Sequence, residues 1–251
     1  ETWPFPVVVC TAHTVLGLLQ NFRTGIYAFP SLLKSVFVFD EIHSFSPLLF
    51  QHLLKFLEAF KETPILLMTA TLPPEKKSAL VRICEKREGL AQIQGPQDRE
   101  NALRYSLSKI EEEQVWPKIE SMLERRGKIL WIVNTVARAI SLAKSCFDKG
   151  FPVQPYHSRY RYKDRLKRQR VVIDGFSSES PAMLAITTQV AEMSLDLSAD
   201  LLISEYAPIP SMIQRLGRLN RFENIPNDCR EGVFLRPESA LPYAKRENEE
   251  Q

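Results

Sequence analysis

Two short stretches of this chain have the residue types and spacing for phosphoryl chemistry. Asp40-Glu41-Ile42-His43 ends the apolar run Val36-Phe37-Val38-Phe39, and about 170 residues later comes Gln214-Arg215-Leu216-Gly217-Arg218-Leu219-Asn220-Arg221. An Asp at the end of a buried strand can hold Mg2+ through its water shell, because hard cations favour carboxylate oxygen. The neighbouring Glu points the other way along the pleat and can orient or deprotonate an attacking water. Arginines at Gln-Arg-x-Gly-Arg-x-x-Arg spacing suit the charge that builds on a transferring phosphoryl group. Together they predict ATP hydrolysis in a cleft between two domains. The competing readings are a helix cap for Asp40-Glu41 and a basic solvated helix for the arginines.

Residues 213–221 read as a helix with Gln214, Arg218 and Arg221 on one side, so that both guanidinium groups reach one phosphate. Arg215 lies off that face and suits an intradomain salt bridge. Gly217 inside a helix costs about 1 kcal/mol against Ala, which makes sense if something approaches the helix closely. Thr69-Ala70-Thr71 follows the next apolar run, where hydroxyls can hydrogen-bond the acidic motif and couple it to domain movement; the alternative is an ordinary turn. Thr187 and Thr188 stand at another run's end, where hydroxyls and N–H groups can grip a nucleic-acid backbone without reading sequence. Asp196 suits a hydrogen bond from a nucleotide ribose. As a plainer alternative, Glu192 and Asp196 are surface residues four apart on one helix.

The elements that position these groups read as α/β. Short apolar runs at residues 7–10, 36–39, 65–68, 129–133, 183–186 and 201–203 look like parallel strands buried on both faces. Helical patterns at 47–60, 115–126 and 136–147 alternate with them. The expected division is the C-terminal part of a first domain at 1–90, a linker at 91–104, a second domain at 105–240 and a charged tail at 241–251.

A net charge of +3 does not by itself diagnose nucleic-acid binding, but its distribution is uneven. Between His157 and Arg170 lie Arg159, Arg161, Lys163, Arg165, Lys167, Arg168 and Arg170, opposed only by Asp164. This is a solvated helix face or an electrostatic footprint for phosphates. Cys10, Cys84, Cys146 and Cys229 form no CxxC pair, which fits a reducing, cytoplasmic setting. No apolar stretch is long enough to cross a membrane. Gly127-Lys128 resembles the end of a phosphate-binding loop, but Ile129 replaces Ser or Thr and Met122 stands where the first Gly belongs. The opening Glu1-Thr2-Trp3-Pro4 reads as the interior of a longer protein.

With these residues in view, the chain resembles the superfamily 2 helicases. More narrowly, it resembles the helicase part of the Cas3 family of CRISPR-associated helicase-nucleases. The resemblance rests on Thr187-Thr188-Gln189-Val190-Ala191-Glu192-Met193-Ser194-Leu195-Asp196, Ala199-Asp200-Leu201-Leu202-Ile203 and the arginine stretch with Asn220 before its final Arg. Val133-Asn134-Thr135-Val136, His157-Ser158-Arg159 and Asp164-Arg165 add to it, and it runs from about residue 8 to beyond Arg221. It implies two RecA-like domains with mainly parallel sheets, the first truncated at its N-terminal side. It further implies ATP and Mg2+, single-stranded DNA crossing both domains, and ATP-driven 3′-to-5′ translocation on DNA unwound at a CRISPR target. The implied partners are a Cascade-like surveillance complex and an HD nuclease on a separate subunit.

Carried over by position, Asp40 and Glu41 take the metal and water roles, and Gln214, Arg218 and Arg221 contact the γ-phosphate. His43, Thr69 and Thr71 couple nucleotide to DNA. Thr11, Asn134, Thr135, His157, Arg159, Thr187 and Thr188 match DNA-backbone positions. The family's phosphate loop, HD nuclease and C-terminal domain have no counterpart in the sequence, so by itself this stretch is expected neither to bind ATP tightly nor to cut DNA. Other readings are a superfamily 2 helicase of DNA repair or RNA, and a non-catalytic docking module.

Overall fold

The computed structural model describes residues 5–17, 29–69, 72–85, 91–93, 95, 103–177, 179–222, 229–239 and 241–243. Packing divides the chain into two units, residues 1–94 and 95–251. Thr71, most of the expected linker and the tail beyond residue 243 lie outside the described residues.

The first unit opens with α1 (Ala12–Gly17), followed by β1 (Phe37–Phe39), α2 (Pro47–Ala59), β2 (Ile65–Leu67) and α3 (Pro74–Cys84). The two strands pair in parallel, Phe37 opposite Ile65, which demands a crossover. α2 supplies it. Ser46 caps this helix by accepting a hydrogen bond from the Leu49 N–H, and Pro47 presets its first φ. Its inner face buries Leu49, Phe50, Leu53, Phe56 and Leu57. Phe56 centres an aromatic cluster, its ring 4.9 Å from Phe37, 5.4 Å from Phe39 and 4.4 Å from Phe60.

Two expectations fail in this unit. Residues 7–10 form no strand: they have no pairing partner among the described residues, and Val9 is 94% exposed. The pair β1–β2 is not buried on both faces either. Phe37 and Phe39 point into the α2 cluster, while Val38 and Leu66 on the opposite face are exposed. Period-two alternation puts successive side chains on opposite faces, so an apolar run gives no sign of which face is covered.

The second unit runs β3 (Tyr105–Lys109), α4 (Val115–Glu124), β4 (Lys128–Ile132), α5 (Val136–Asp148), β5 (Val153–Tyr156) and α6 (Tyr162–Gly175). It continues with β6 (Met183–Thr187), α7 (Val190–Ser194), β7 (Leu201–Glu205), α8 (Ile209–Leu216) and β8 (Arg230–Leu235). Its six strands are all parallel, in the order β3-β8-β7-β4-β6-β5. Here the double burial holds. Ile129 and Trp131 of β4 join the core under α4 and α5, while Leu130 and Ile132 join the core that includes Val172 of α6 and Ala191 of α7. This is the α/β/α layering of a RecA-like domain.

The apolar pattern of the sequence predicts no strand at β3, β5 or β8, and all three are in the sheet. β3 and β5 are edge strands, so β3 tolerates serines and β5 tolerates Pro155, which has no N–H for the ladder. The arginine helix is also displaced. α8 begins after Pro208 and ends at Leu216, with Gly217 as its C-cap rather than an interior residue. A Cβ at Gly217 would meet no neighbour except the preceding turn, so no close approach explains that glycine.

Candidate functional site

Asp40 directly follows β1, and Thr69 follows β2 by two residues. Both motifs therefore stand at the C-terminal end of the parallel pair, the end at which α/β sheets bind ligands. The Met68 N–H donates to Phe39 O at 2.8 Å, and the Ile42 N–H donates to Met68 O at 3.2 Å, fastening the two segments together. Glu41 adopts φ 54° and ψ 38° in the left-handed region, at a cost on the order of 1–3 kcal/mol for a non-glycine residue. The chain then turns straight into the short 3-10 turn Ile42–Ser44. His43 sits between the motifs, with Nε2 3.2 Å from Glu41 Oε2 and Nδ1 3.2 Å from Thr69 Oγ1. Behind the turn, Lys76 Nζ of α3 donates to Phe45 O at 2.8 Å and to His43 O at 3.4 Å. Nothing in the sequence signalled Lys76. The helix-cap alternative does not describe this site: Glu41 makes no side-chain cap bond, and Ser46 caps the next helix.

Asp40 keeps its carboxylate exposed, with one oxygen accepting the Glu41 N–H at 2.9 Å. Its other oxygen remains available to the water shell of a divalent ion. Among the described residues no three metal-ligating side chains cluster. That donor set suits Mg2+, which commonly takes one or two carboxylates together with substrate phosphates, and it does not suit a tightly chelated metal.

In the second unit the sheet's C-terminal edge gathers residues that are far apart in sequence. Asn134 and Thr135 follow β4, His157 follows β5, Thr188 follows β6, and Glu205 ends β7. Two of them, Asn134 and Glu205, meet the fully buried Arg215 of α8. Its Nε donates to Glu192 Oε1 at 2.8 Å, and its Nη1 to Ser204 Oγ at 3.0 Å and Glu205 O at 2.9 Å. Its Nη2 donates to Asn134 Oδ1 at 3.1 Å and Tyr243 Oη at 3.0 Å. All five guanidinium N–H groups are thus used. Asn134 is tied in further: its backbone N–H donates to Glu205 Oε2 at 2.6 Å, its Nδ2 donates to Tyr206 O at 2.8 Å, and its carbonyl accepts from Gln189 Nε2 at 2.7 Å. Burial pushes the Glu205 carboxyl above its ordinary range, while the Asn134 N–H, Arg138 and Arg215 pull it back. Arg138 also pairs with Glu112 and, at 3.0 Å, with Glu238.

Glu192 is therefore a buried partner of Arg215 and not a surface helix residue, and Asp196 lies beyond the end of α7. Arg218 and Arg221 follow α8 and share no helical face with Gln214. Arg218 rests on α7 and Arg221 on the segment between α7 and β7. Arg218 donates through Nε to Ala191 O at 3.2 Å and through Nη2 to Glu192 O at 2.6 Å. Arg221 Nε lies 3.0 Å from Asp196 Oδ1 on an exposed surface, and its backbone N–H donates to Ser198 Oγ at 2.8 Å. Asn220 makes the turn between them at φ 50°, a conformation asparagine tolerates better than most residues.

The positions expected at DNA are of two kinds. Thr187 and Thr188 are buried, as are Asn134 and His157. Thr187 Oγ1 and His157 Nδ1 have no hydrogen-bond partner among the described residues. Arg159 is exposed, while Thr135 Oγ1 caps α5 through the Arg138 N–H and Thr11 Oγ1 accepts the Thr14 N–H at the start of α1. His157 stacks on Tyr160 with ring centroids 4.2 Å apart. Burial, then the charges of Arg168 and Arg159, push its pKa down. Lys128 is no phosphate ligand: its Nζ donates to Ser180 O at 2.7 Å and Pro181 O at 2.6 Å, at the opposite edge of the sheet.

A family model described as CRISPR-associated nuclease/helicase Cas3, C-terminal, matches residues 125–224. A Myxococcus xanthus relative carrying a Cas3 nuclease/helicase name is 46% identical over 248 residues, 97% of this chain and 33% of that protein. The crystal structure of T. fusca Cas3 superposes with a TM-score of 0.74 at 23% identity, covering 92% of this chain and 32% of the other. A structure titled as a CRISPR RNA-guided surveillance complex, pre-nicking, gives a TM-score of 0.66 at 22% identity, covering 86% of this chain and 33% of the other. The chain spans about a third of the length of these relatives. No helix among the described residues is long and apolar enough to cross a membrane. The sequence matches and the shared fold together support a Cas3-type helicase fragment.

Proposed function

We propose that this chain is the part of an ATP-driven DNA translocase that carries its water-activating and charge-neutralising residues. The motor moves 3′ to 5′ along single-stranded DNA and unwinds targets delivered by a Cascade-like surveillance complex, with an HD nuclease on a separate subunit. One observation carries the reading: His43 holds both Glu41 and Thr69 at the C-terminal end of β1 and β2. A turn built with a strained Glu, fixed by a His that touches the next strand's Thr, suits a carboxylate that must stay aimed at a water. Asp40 would hold Mg2+, which when bound supplies charge stabilisation to the phosphate oxygens. Glu41 orients the hydrolytic water and receives its proton. Arg218 and Arg221 offset the charge developing on the phosphoryl group, released from their present carbonyl and carboxylate partners as ATP engages. His43 and Thr69, with Thr71, relay nucleotide state to DNA, and Gln214 contacts the γ-phosphate. Asp196 accepts a hydrogen bond from the ribose. Thr11, Thr135, Arg159, Thr188 and the orphaned polar atoms of His157 and Thr187 line the DNA path, with Asn134 holding its backbone in place.

The test uses the full-length protein that contains this chain. Glu41→Gln should lower DNA-stimulated ATP turnover by about 10²–10⁴-fold while single-stranded DNA binding persists. Turnover unchanged in that variant overturns the assignment.

A further inference from the structure

The basic run at residues 157–170 remains unexplained by the site above. It forms the loop after β5 and the first nine residues of α6, beginning at the same edge of the sheet as His157. Among the described residues, none of its seven cations forms an ion pair; elsewhere in the unit Lys118, Arg138, Arg215, Arg221 and Arg230 each do. Lys163, Lys167 and Arg170 are exposed and stand at i, i+4 and i+7. At 3.6 residues per turn these make one stripe about 10 Å long. Asp164 lies off the stripe, and Asp174 closes its far end. Of the two aromatic rings among the cations, Tyr160 is engaged on both faces and Tyr162 is 66% exposed. Tyr160 has the His157 ring 4.2 Å from its centroid and the Arg168 guanidinium at 4.2 Å, so the two must occupy opposite faces. Arg165 lies 5.8 Å from the Tyr162 ring.

We infer that the Lys163-Lys167-Arg170 stripe binds the sugar-phosphate backbone of duplex DNA, outside the single-strand path at the sheet edge. Unpaired cations on a rigid helix supply sequence-independent phosphate attraction and release counterions on binding. A Tyr160 ring closed on both faces leaves no platform there for an unstacked base, which disfavours a single strand as the occupant. The loop from His157 to Arg161 joins this stripe to the expected strand-binding edge, so a junction between duplex and single strand would meet both. Only the choice of DNA rests on the translocase reading.

The experiment measures binding of the full-length protein to a blunt duplex and to a single strand of equal length, without nucleotide, from 50 to 200 mM salt. The variant is Lys163→Gln/Lys167→Gln/Arg170→Gln. A control neutralises Lys55, Lys61 and Lys77, exposed on the first unit. The stripe variant should flatten the duplex log K–log salt slope by about 2.7, at about 0.9 for each phosphate no longer neutralised. Over that salt range its affinity should then fall about 40-fold less than that of the parent, by the same relation. Single-strand affinity and the control's duplex slope should not change. An unchanged duplex slope, or an equal loss on the single strand, overturns the proposal. Because no ATP is present, an absent ATPase would defeat the motor reading and leave this measurement standing.

Discussion

The arginine stretch at 214–221 and the basic run at 159–170 share a residue type and little else. Every arginine in the first has a partner inside the protein: Arg215 saturates its five donors in the core, Arg218 holds two carbonyls of α7, and Arg221 pairs with Asp196. In the second, Arg165 and Arg168 rest on tyrosine rings and no carboxylate pairs with any cation among the described residues. A buried guanidinium is tolerable only when its hydrogen bonds are met, so Arg215 organises its own fold. Exposed unpaired cations have no such duty and raise the local potential for an outside anion. Arg218 and Arg221 fall between these limits: anchored now, but by carbonyl and surface-carboxylate contacts that a phosphate can replace.

The largest effect should come from Arg215. Arg215→Ala leaves the Glu192 carboxylate and Asn134 Oδ1 without the guanidinium they bond in the core, and breaking such a buried pair costs about 3–5 kcal/mol. Denaturant unfolding should show that loss. Arg215→Lys should recover only part of it, because an ammonium has three donors in place of a planar fork of five. Unfolding midpoints that match the parent would mean the network is slack, and the contrast between the two arginine groups would lose its basis.

Arg218→Ala separates a phosphate role from a structural one. Loss of a charge-stabilising donor should reduce turnover by about 10²–10³-fold, with nucleotide affinity changing much less, since the contact strengthens in the transition state. Its unfolding midpoint should move less than that of Arg215→Ala. If turnover is intact and only stability falls, Arg218 belongs with Arg215 as a tie to α7.

How far the sequence reached follows the same division. Where a residue's neighbours are local, the pattern was readable. The runs that became β4, β6 and β7 are apolar because both sheet faces are covered, and Asp40 and Thr69 are placed by the strands just before them. In the sequence pattern Arg215 lies off the phosphate-facing side and suits a salt bridge, but its partners arrive from residues 134, 192, 204, 205 and 243, which only the tertiary fold collects. A clue was present in Glu205, a carboxylate closing the apolar run of β7 much as Asp40 closes that of β1. The helix differs from the 213–221 that the basic spacing predicts because Pro208 and Gly217 bound it. Residues 7–10 misled for a different reason: β propensity describes fitness for a sheet, and no partner strand is described beside them.

Tyr243 tests whether the hub extends into the chain after β8. Its hydroxyl accepts one Arg215 N–H, and Tyr243 is partly exposed, so water can replace it in Tyr243→Phe. The expected loss is about 1 kcal/mol, read by unfolding, with turnover falling no more than stability. A loss as large as that of Arg215→Ala would show that the post-β8 segment holds the whole network.

The smallest effect reads the unpaired cations from inside. His157 is buried beside Arg159 and Arg168, and burial first, then these charges, lower its pKa from 6.5. A depressed folded-state pKa means the unfolded chain takes up the proton first on acidification. The stability that neutral His157 contributes is therefore complete above pH 6.5 and is lost as pH falls through the lowered folded value. Unfolding measured from pH 8 down to 5 should show the parent losing stability faster than His157→Gln, which has no proton to gain. Arg168→Gln removes the charge with the larger effect on His157 but not the burial, so its curve should lie between them. If Arg168→Gln tracks the parent at every pH, solvent already screens the α6 cations from their nearest neighbour. Attraction for a duplex phosphate farther out would then need all three stripe residues acting together, and the salt slope would have to show it without help from the titration.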